Sequence, residues 1–103
     1  MSYRNNFEGK RQMVKDLAEV YRNIEYSDIA DIELKKYIND KGHSFEFVML
    51  TWTNGAISTA PNNMNSLSAT ARVIARMLDG GVYENLDLYK EIMESPEWIE
   101  VVK

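Results

Sequence analysis

A chain of 103 residues with 45 % hydrophobic and 27 % charged side chains fits one domain, residues 1–103, built on a single core, and its composition argues against a disordered chain. The absence of cysteine removes disulfides, thiolate nucleophiles and thiolate metal sites, and the single histidine, His43, removes an imidazole-rich metal site, so no cofactor is expected. A net charge of −4 argues against a general nucleic-acid binder, and the longest apolar run, Phe47 to Leu50, is far short of the roughly 20 residues that span a bilayer.

In chain order, MSYRNNFEGKRQ has no apolar signal-peptide core, which makes the cytoplasm the expected location. Asn5 or Asn6 can cap a first helix, whose positions Val14, Leu17, Ala18, Tyr21 and Ile24 share one face. Ser27 has the chemistry of a second N-cap, with Asp28 and Asp31 in the first turn, Ala30, Leu34, Tyr37 and Ile38 as an inward stripe, and Gly42 as the stop. The spacing therefore predicts an N-terminal helical hairpin.

The segment from Ser44 to Thr53 is apolar on both faces, and Asn54-Gly55 between Thr51-Trp52-Thr53 and Ala56-Ile57-Ser58 is a strong hairpin signal. A two-residue type I′ turn there pairs Trp52 with Ile57 and Leu50 with Thr59. A two-stranded sheet with two apolar faces needs a cover on each, so a homo-oligomer is expected. After Pro61 and the Asn62-Asn63-Met64-Asn65 loop, Asn65 or Ser66 caps a helix with Leu67, Ala71, Ile74 and Leu78 inward, ended by Gly80-Gly81. Asn85 caps a further helix carrying Leu86, Tyr89, Ile92 and Met93. Ser95-Pro96-Glu97 then opens a last short helix with Trp98, Ile99 and Val102. The expected fold is α+β in the order α-α-β-β-α-α, with a final helical turn or two: a helical hairpin, a central antiparallel β-hairpin and C-terminal helices.

Two constellations are candidates for function. Asn62, Asn63, Asn65 and Ser66 feed a helix start, where backbone N–H groups and amides suit a phosphate, a ribose hydroxyl or a base edge, although asparagines serve turns and caps without any ligand. Arg72 and Arg76 lie four apart on one helical face and can present two guanidinium forks to phosphates, or else bridge to acids such as Asp79. The negative excess lies wholly in residues 84–103, where Glu84, Asp87, Glu91 and Glu94 make a stripe that is either a solvated helix face or a surface competing for a basic groove. No glycine-rich phosphate loop and no nucleophile setting occurs around Ser58, Ser66 or Ser68, so an enzyme is not expected.

The stretch WTNGAIS, then N-x-N-S, a short helix with paired arginines, and GG-x-Y resembles small proteins of phages and other mobile elements, and more loosely the Thoeris anti-defence proteins that sequester cyclic nucleotide signals. The resemblance covers about a third of the chain, from Trp52 to Tyr83. It implies a non-enzymatic binding protein in the host cytoplasm that captures a nucleotide-like signal through Asn63, Asn65, Arg72 and Arg76. The other reading is a small acidic inhibitor of a host defence nuclease, anti-CRISPR-like, acting by protein contact through Glu84, Asp87, Glu91 and Glu94.

Overall fold

The computed structural model describes residues 2–63, 66–80 and 86–102. The Asn6 side chain accepts a hydrogen bond from the Gly9 N–H at 2.8 Å and so starts helix α1, Phe7–Arg22, as its capping chemistry predicts. Val14 and Ala18 are buried on its inner face, flanked by Leu17 and Tyr21.

From Ser27 onward the structure departs from expectation. The Ser27 hydroxyl accepts from the Ile29 N–H at 3.2 Å, and the chain continues as strand β1, Ile29–Asn39, not as a second helix. Ile32, Leu34 and Lys36 share one face of that strand, and Asp31, Glu33, Lys35 and Tyr37 the other, while an irregularity in the pairing between Ile29 and Asp31 brings Ile29 into the core with Ile32 and Leu34. Strand β2, Ser44–Trp52, returns antiparallel to β1, and β3, Ile57–Pro61, returns antiparallel to β2. The last strand, β4, Trp98–Glu100, joins the far side of β1, giving the sheet order β3-β2-β1-β4. The expected final helix is thus a strand. Ser95 takes the Glu97 N–H on its hydroxyl and the Trp98 N–H on its carbonyl, which turns the chain into β4.

The hairpin at Asn54-Gly55 is present, but its loop holds three residues, not two. Gly55 donates to the Trp52 carbonyl at 2.9 Å with φ +90°, and Trp52 pairs with Ala56, whose N–H is also held by Asn54 Oδ1. Only the glycine takes positive φ, so the turn is a type I turn closed by a left-handed residue. The extra residue slips the register by one: Thr51 faces Ile57, and Leu50 faces Ser58. Since side chains alternate, Ala60 rather than Thr59 joins Val48 and Leu50 in the main core. The β1–β2 loop repeats the device, with Gly42 at φ +81° and Asn39 in the place of Trp52, so Gly42 is a turn residue and no helix stop.

Helix α2, Leu67–Leu78, lies with α1 over one face of the sheet, where Ile74 and Met77 meet Ile32, Leu34, Val48 and Leu50. Helix α3, Leu86–Glu94, covers part of the other, its Tyr89 ring 4.7 Å from Phe47 and 5.4 Å from Phe45. Tyr37, Phe47, Tyr89 and Ile92 are buried together there. The second apolar face of β2 is therefore covered by the chain's own helix, which removes the physical reason for expecting an oligomer. Among the described residues, no helix is long and apolar enough to cross a membrane.

Candidate functional site

Where β3 ends at Pro61, the Asn62 N–H donates to the Glu46 carbonyl at 2.9 Å and carries the pairing one residue further. The Asn62 side chain turns inward and is buried. Its Nδ2 donates to Glu46 Oε1 at 2.6 Å, and its Oδ1 lies 3.2 Å from the Thr70 hydroxyl. That hydroxyl also lies 3.1 Å from the Ser66 carbonyl and shares its one proton between the two acceptors. Glu46 Oε1 further accepts from Lys10 Nζ at 2.7 Å. A buried polar relay, Lys10–Glu46–Asn62–Thr70, thus ties α1, β2, the exit of β3 and α2 into one unit.

This relay fixes one wall of a cleft of about 400 Å³ between the Pro61–Asn63 segment and the Ala69, Arg72, Val73 and Arg76 face of α2. The geometry sorts the candidate residues. Asn62 has both ends of its amide engaged and acts as a support, while Asn63 is exposed at the rim. Ser66 is the N-cap of α2, its hydroxyl accepting from the Ala69 N–H at 3.1 Å and lying 3.4 Å from the Ser68 hydroxyl, so its first role is structural. Arg72 and Arg76 are exposed one turn apart on the cleft, and among the described residues neither guanidinium has an ion-pair partner. The bridge to Asp79 that would have tied them down is not formed. Asn65 lies outside the described residues.

Chemically, the cleft offers up to ten guanidinium N–H donors and the Asn63 amide beside an apolar strip of Pro61, Ala69 and Val73. That combination suits an anion joined to a flat apolar group. The other sequence candidates lie elsewhere. Asp87, Glu91 and Glu94 are exposed on α3 opposite the buried Tyr89 and Ile92, Glu84 is outside the described residues, and His43 is an exposed loop residue.

The electrostatics away from the cleft are local. On α1 the Asp16 carboxylate accepts from the Tyr3 hydroxyl and from Gln12 at 2.9 Å; these bonds hold its pKa below the ordinary carboxylate value, while the same contact raises the Tyr3 phenol. For Lys35, burial works against the charged form, but the Glu33 and Glu100 carboxylates outweigh it and raise its pKa. Among the described residues no group of three His, Asp or Glu side chains is arranged to hold a metal ion.

Sequence reasoning missed the relay, although two signals for it were present. Lys10 falls on the same helical stripe as Val14 and Ala18, and Glu46 falls on the same strand face as Val48 and Leu50. A charge on an inward stripe needs a buried partner, and here the two supply each other. In comparisons with known proteins, no family model, no curated protein and no solved structure matches the chain.

Proposed function

We propose that the protein is a non-enzymatic binder that captures a nucleotide-like small molecule, in the manner of the phage anti-defence proteins that its central stretch resembles. The observation that carries this reading is the pair of guanidiniums, Arg72 and Arg76, without an ion-pair partner among the described residues, on one cleft with the exposed Asn63. Two unbridged arginines one turn apart repel each other unless an anion lies between them, and an anion with a planar group attached finds the Pro61–Val73 strip beside it. Native mass spectrometry of protein isolated from cells tests the reading. A bound mass in the nucleotide range, lost in Arg72→Ala/Arg76→Ala, is the expected result; an unliganded protein whose double variant keeps its biological effect would overturn it.

A second reading keeps the acidic face. Asp87, Glu91 and Glu94 stand exposed on α3 without an ion-pair partner among the described residues, which suits a protein inhibitor of a host defence nuclease with a basic groove. Charge reversal at Glu91 and Glu94 separates the two: it disables an inhibitor of this kind and spares a small-molecule binder.

A further inference from the structure

Strand β1 is partnered along its length on one side only. β2 pairs with it from Ile29 to Ile38, but β4 takes up just Tyr37, Ile38 and Asn39, and the last ladder bond on that side runs from the Val101 N–H to the Lys36 carbonyl at 2.8 Å. Past the irregularity between Ile29 and Asp31, the alternation of the antiparallel ladder points the backbone groups of the even-numbered residues Ile32, Leu34, Lys36 and Ile38 toward the β4 side. The N–H and C=O groups of Ile32 and Leu34 therefore face outward, and among the described residues no hydrogen bond takes them up. A groove of about 390 Å³ runs along this open stretch, between α1 residues such as Arg11, Lys15 and Glu19 and the β1 residues Asp31–Lys35. The C-terminal tail already points into its near end, where Arg11 donates to the Val102 carbonyl.

An open ladder flanked by a helix accepts one kind of ligand, an extended backbone, because only that supplies N–H and C=O groups at the required spacing. A second copy of β1 is a poor occupant. Two-fold antiparallel pairing centred on Asp31 sets Asp31 against itself, centring on Ile32 sets Asp31 against Glu33, centring on Glu33 sets Glu33 against itself, and centring on Leu34 matches Glu33 with Lys35 but needs the Lys36 carbonyl that Val101 already takes. The outward sheet face here carries Asp31, Glu33 and Glu100 with Lys35 bridged to both glutamates, and only Arg22, at 3.4 Å, beside Asp31. Carboxylates predominate, which selects basic side chains opposite Asp31 and Glu33. Between them, the residue that bonds to β1 turns its side chain toward Ala18, Ile32 and Leu34.

We propose that the β1 edge from Asp31 to Leu34 is a strand-addition site for an extended segment of a partner protein, antiparallel to β1 in line with β4, with Lys or Arg at alternate positions and small apolar residues between them. This surface is separate from the arginine cleft and does not depend on the reading given to it.

The test uses the full chain and two capped peptides, Lys-Val-Lys-Val-Lys and Lys-Pro-Lys-Pro-Lys, followed by amide spectra during titration. The peptides carry equal charge, but proline removes the backbone donors that a ladder needs. The expected result is saturable shifts centred on the Ile32 and Leu34 amides with the valine peptide, about tenfold weaker binding of the proline peptide, and a similar weakening of the valine peptide by Glu33→Lys. Equal binding of both peptides means charge attraction alone and overturns the proposal, as does silence of those two amides at about millimolar peptide. Shifts there that follow protein concentration without peptide would make a second copy the occupant and equally overturn it. The two-peptide comparison leaves the protein unchanged, so it holds even if Glu33→Lys fails to fold.

Discussion

Lys10 Nζ on α1 and Glu46 Oε1 on β2 lie 2.7 Å apart with 3 % and 11 % of their side chains exposed. Two charges so deeply placed are costly to desolvate, and each depends on the other to offset that cost. Lys10→Met strands the Glu46 carboxylate with only the Asn62 amide, and the expected loss is about 3–5 kcal/mol in urea unfolding. Adding Glu46→Gln recovers much of it, because a neutral amide oxygen still accepts from Asn62 Nδ2. If Lys10→Met alone is neutral, the pair does not hold the helix to the sheet.

Adjacent asparagines should behave differently. Asn62→Ala takes one of two donors from Glu46 and one of two acceptors from Thr70, leaving Lys10 and the Ser66 carbonyl in place, and with two buried hydrogen bonds lost is expected to cost about 1–3 kcal/mol. Asn63→Ala removes an exposed amide and should leave stability within about 0.5 kcal/mol. Under the proposed function the effects on ligand retention are reversed in origin: Asn63→Ala loses a contact, while Asn62→Ala loosens the wall.

Arg72→Ala/Arg76→Ala removes no interaction within the described fold, so its thermal midpoint should match or exceed the parent's, since a like-charge pair one turn apart is relieved. Ligand retention should nevertheless vanish. Glu91→Lys/Glu94→Lys should leave retention intact. A retained ligand in the arginine variant places the binding elsewhere.

The Tyr3–Asp16 contact has a defined pH signature. Asp16 has a folded pKa below its unfolded value, with the Tyr3 hydroxyl as the first cause and Gln12 second. Its stabilising contribution is thus full above the ordinary Asp range, near about pH 4, and is lost as pH falls through the folded value. Tyr3 is raised, so its share is present below the ordinary phenol value and lost as pH climbs through the folded one. In Tyr3→Phe the Asp16 carboxyl carbon should titrate closer to an ordinary carboxylate, and the stability gap between parent and variant should close at low pH. An unchanged Asp16 titration would show that the hydroxyl does not reach it.

Local signals made α1, the position of the second hairpin and the start of α2 legible in the sequence, because caps and a turn glycine act over a few residues. The segment Ile29–Asn39 was not, for a physical reason. β1 lies inside the sheet, yet α3 covers its outward face only toward Tyr37, so Asp31, Glu33 and Lys35 stay at the surface. A strand with charges on three successive outward positions and Leu34 and Ile38, four residues apart, on the inward face carries the spacing of an amphipathic helix as well. Tertiary pairing with β2 decided between them. Trp98–Glu100 presents the same problem in smaller form, since Ser-Pro-Glu opens a turn as readily as a helix and only pairing with β1 selects the strand. Of the site, the arginine pair and its asparagine rim were legible from spacing; the inward turn of Asn62 was not, because its partners Glu46 and Lys10 are far away in sequence.

The way β4 is attached also orders the assembly of the sheet in time. β1, β2 and β3 follow one another through two three-residue loops, so their ladders close over short stretches of chain, whereas β4 must return from the far end to meet three residues of β1. Closing long loops is the slower and entropically costlier step. The expected order is that the meander zips first and that β4 is the last strand to arrive and the first to leave. Native-state exchange should register this within one strand, with the Ile38 amide, which faces β4, exchanging before the Tyr37 amide, which faces β2.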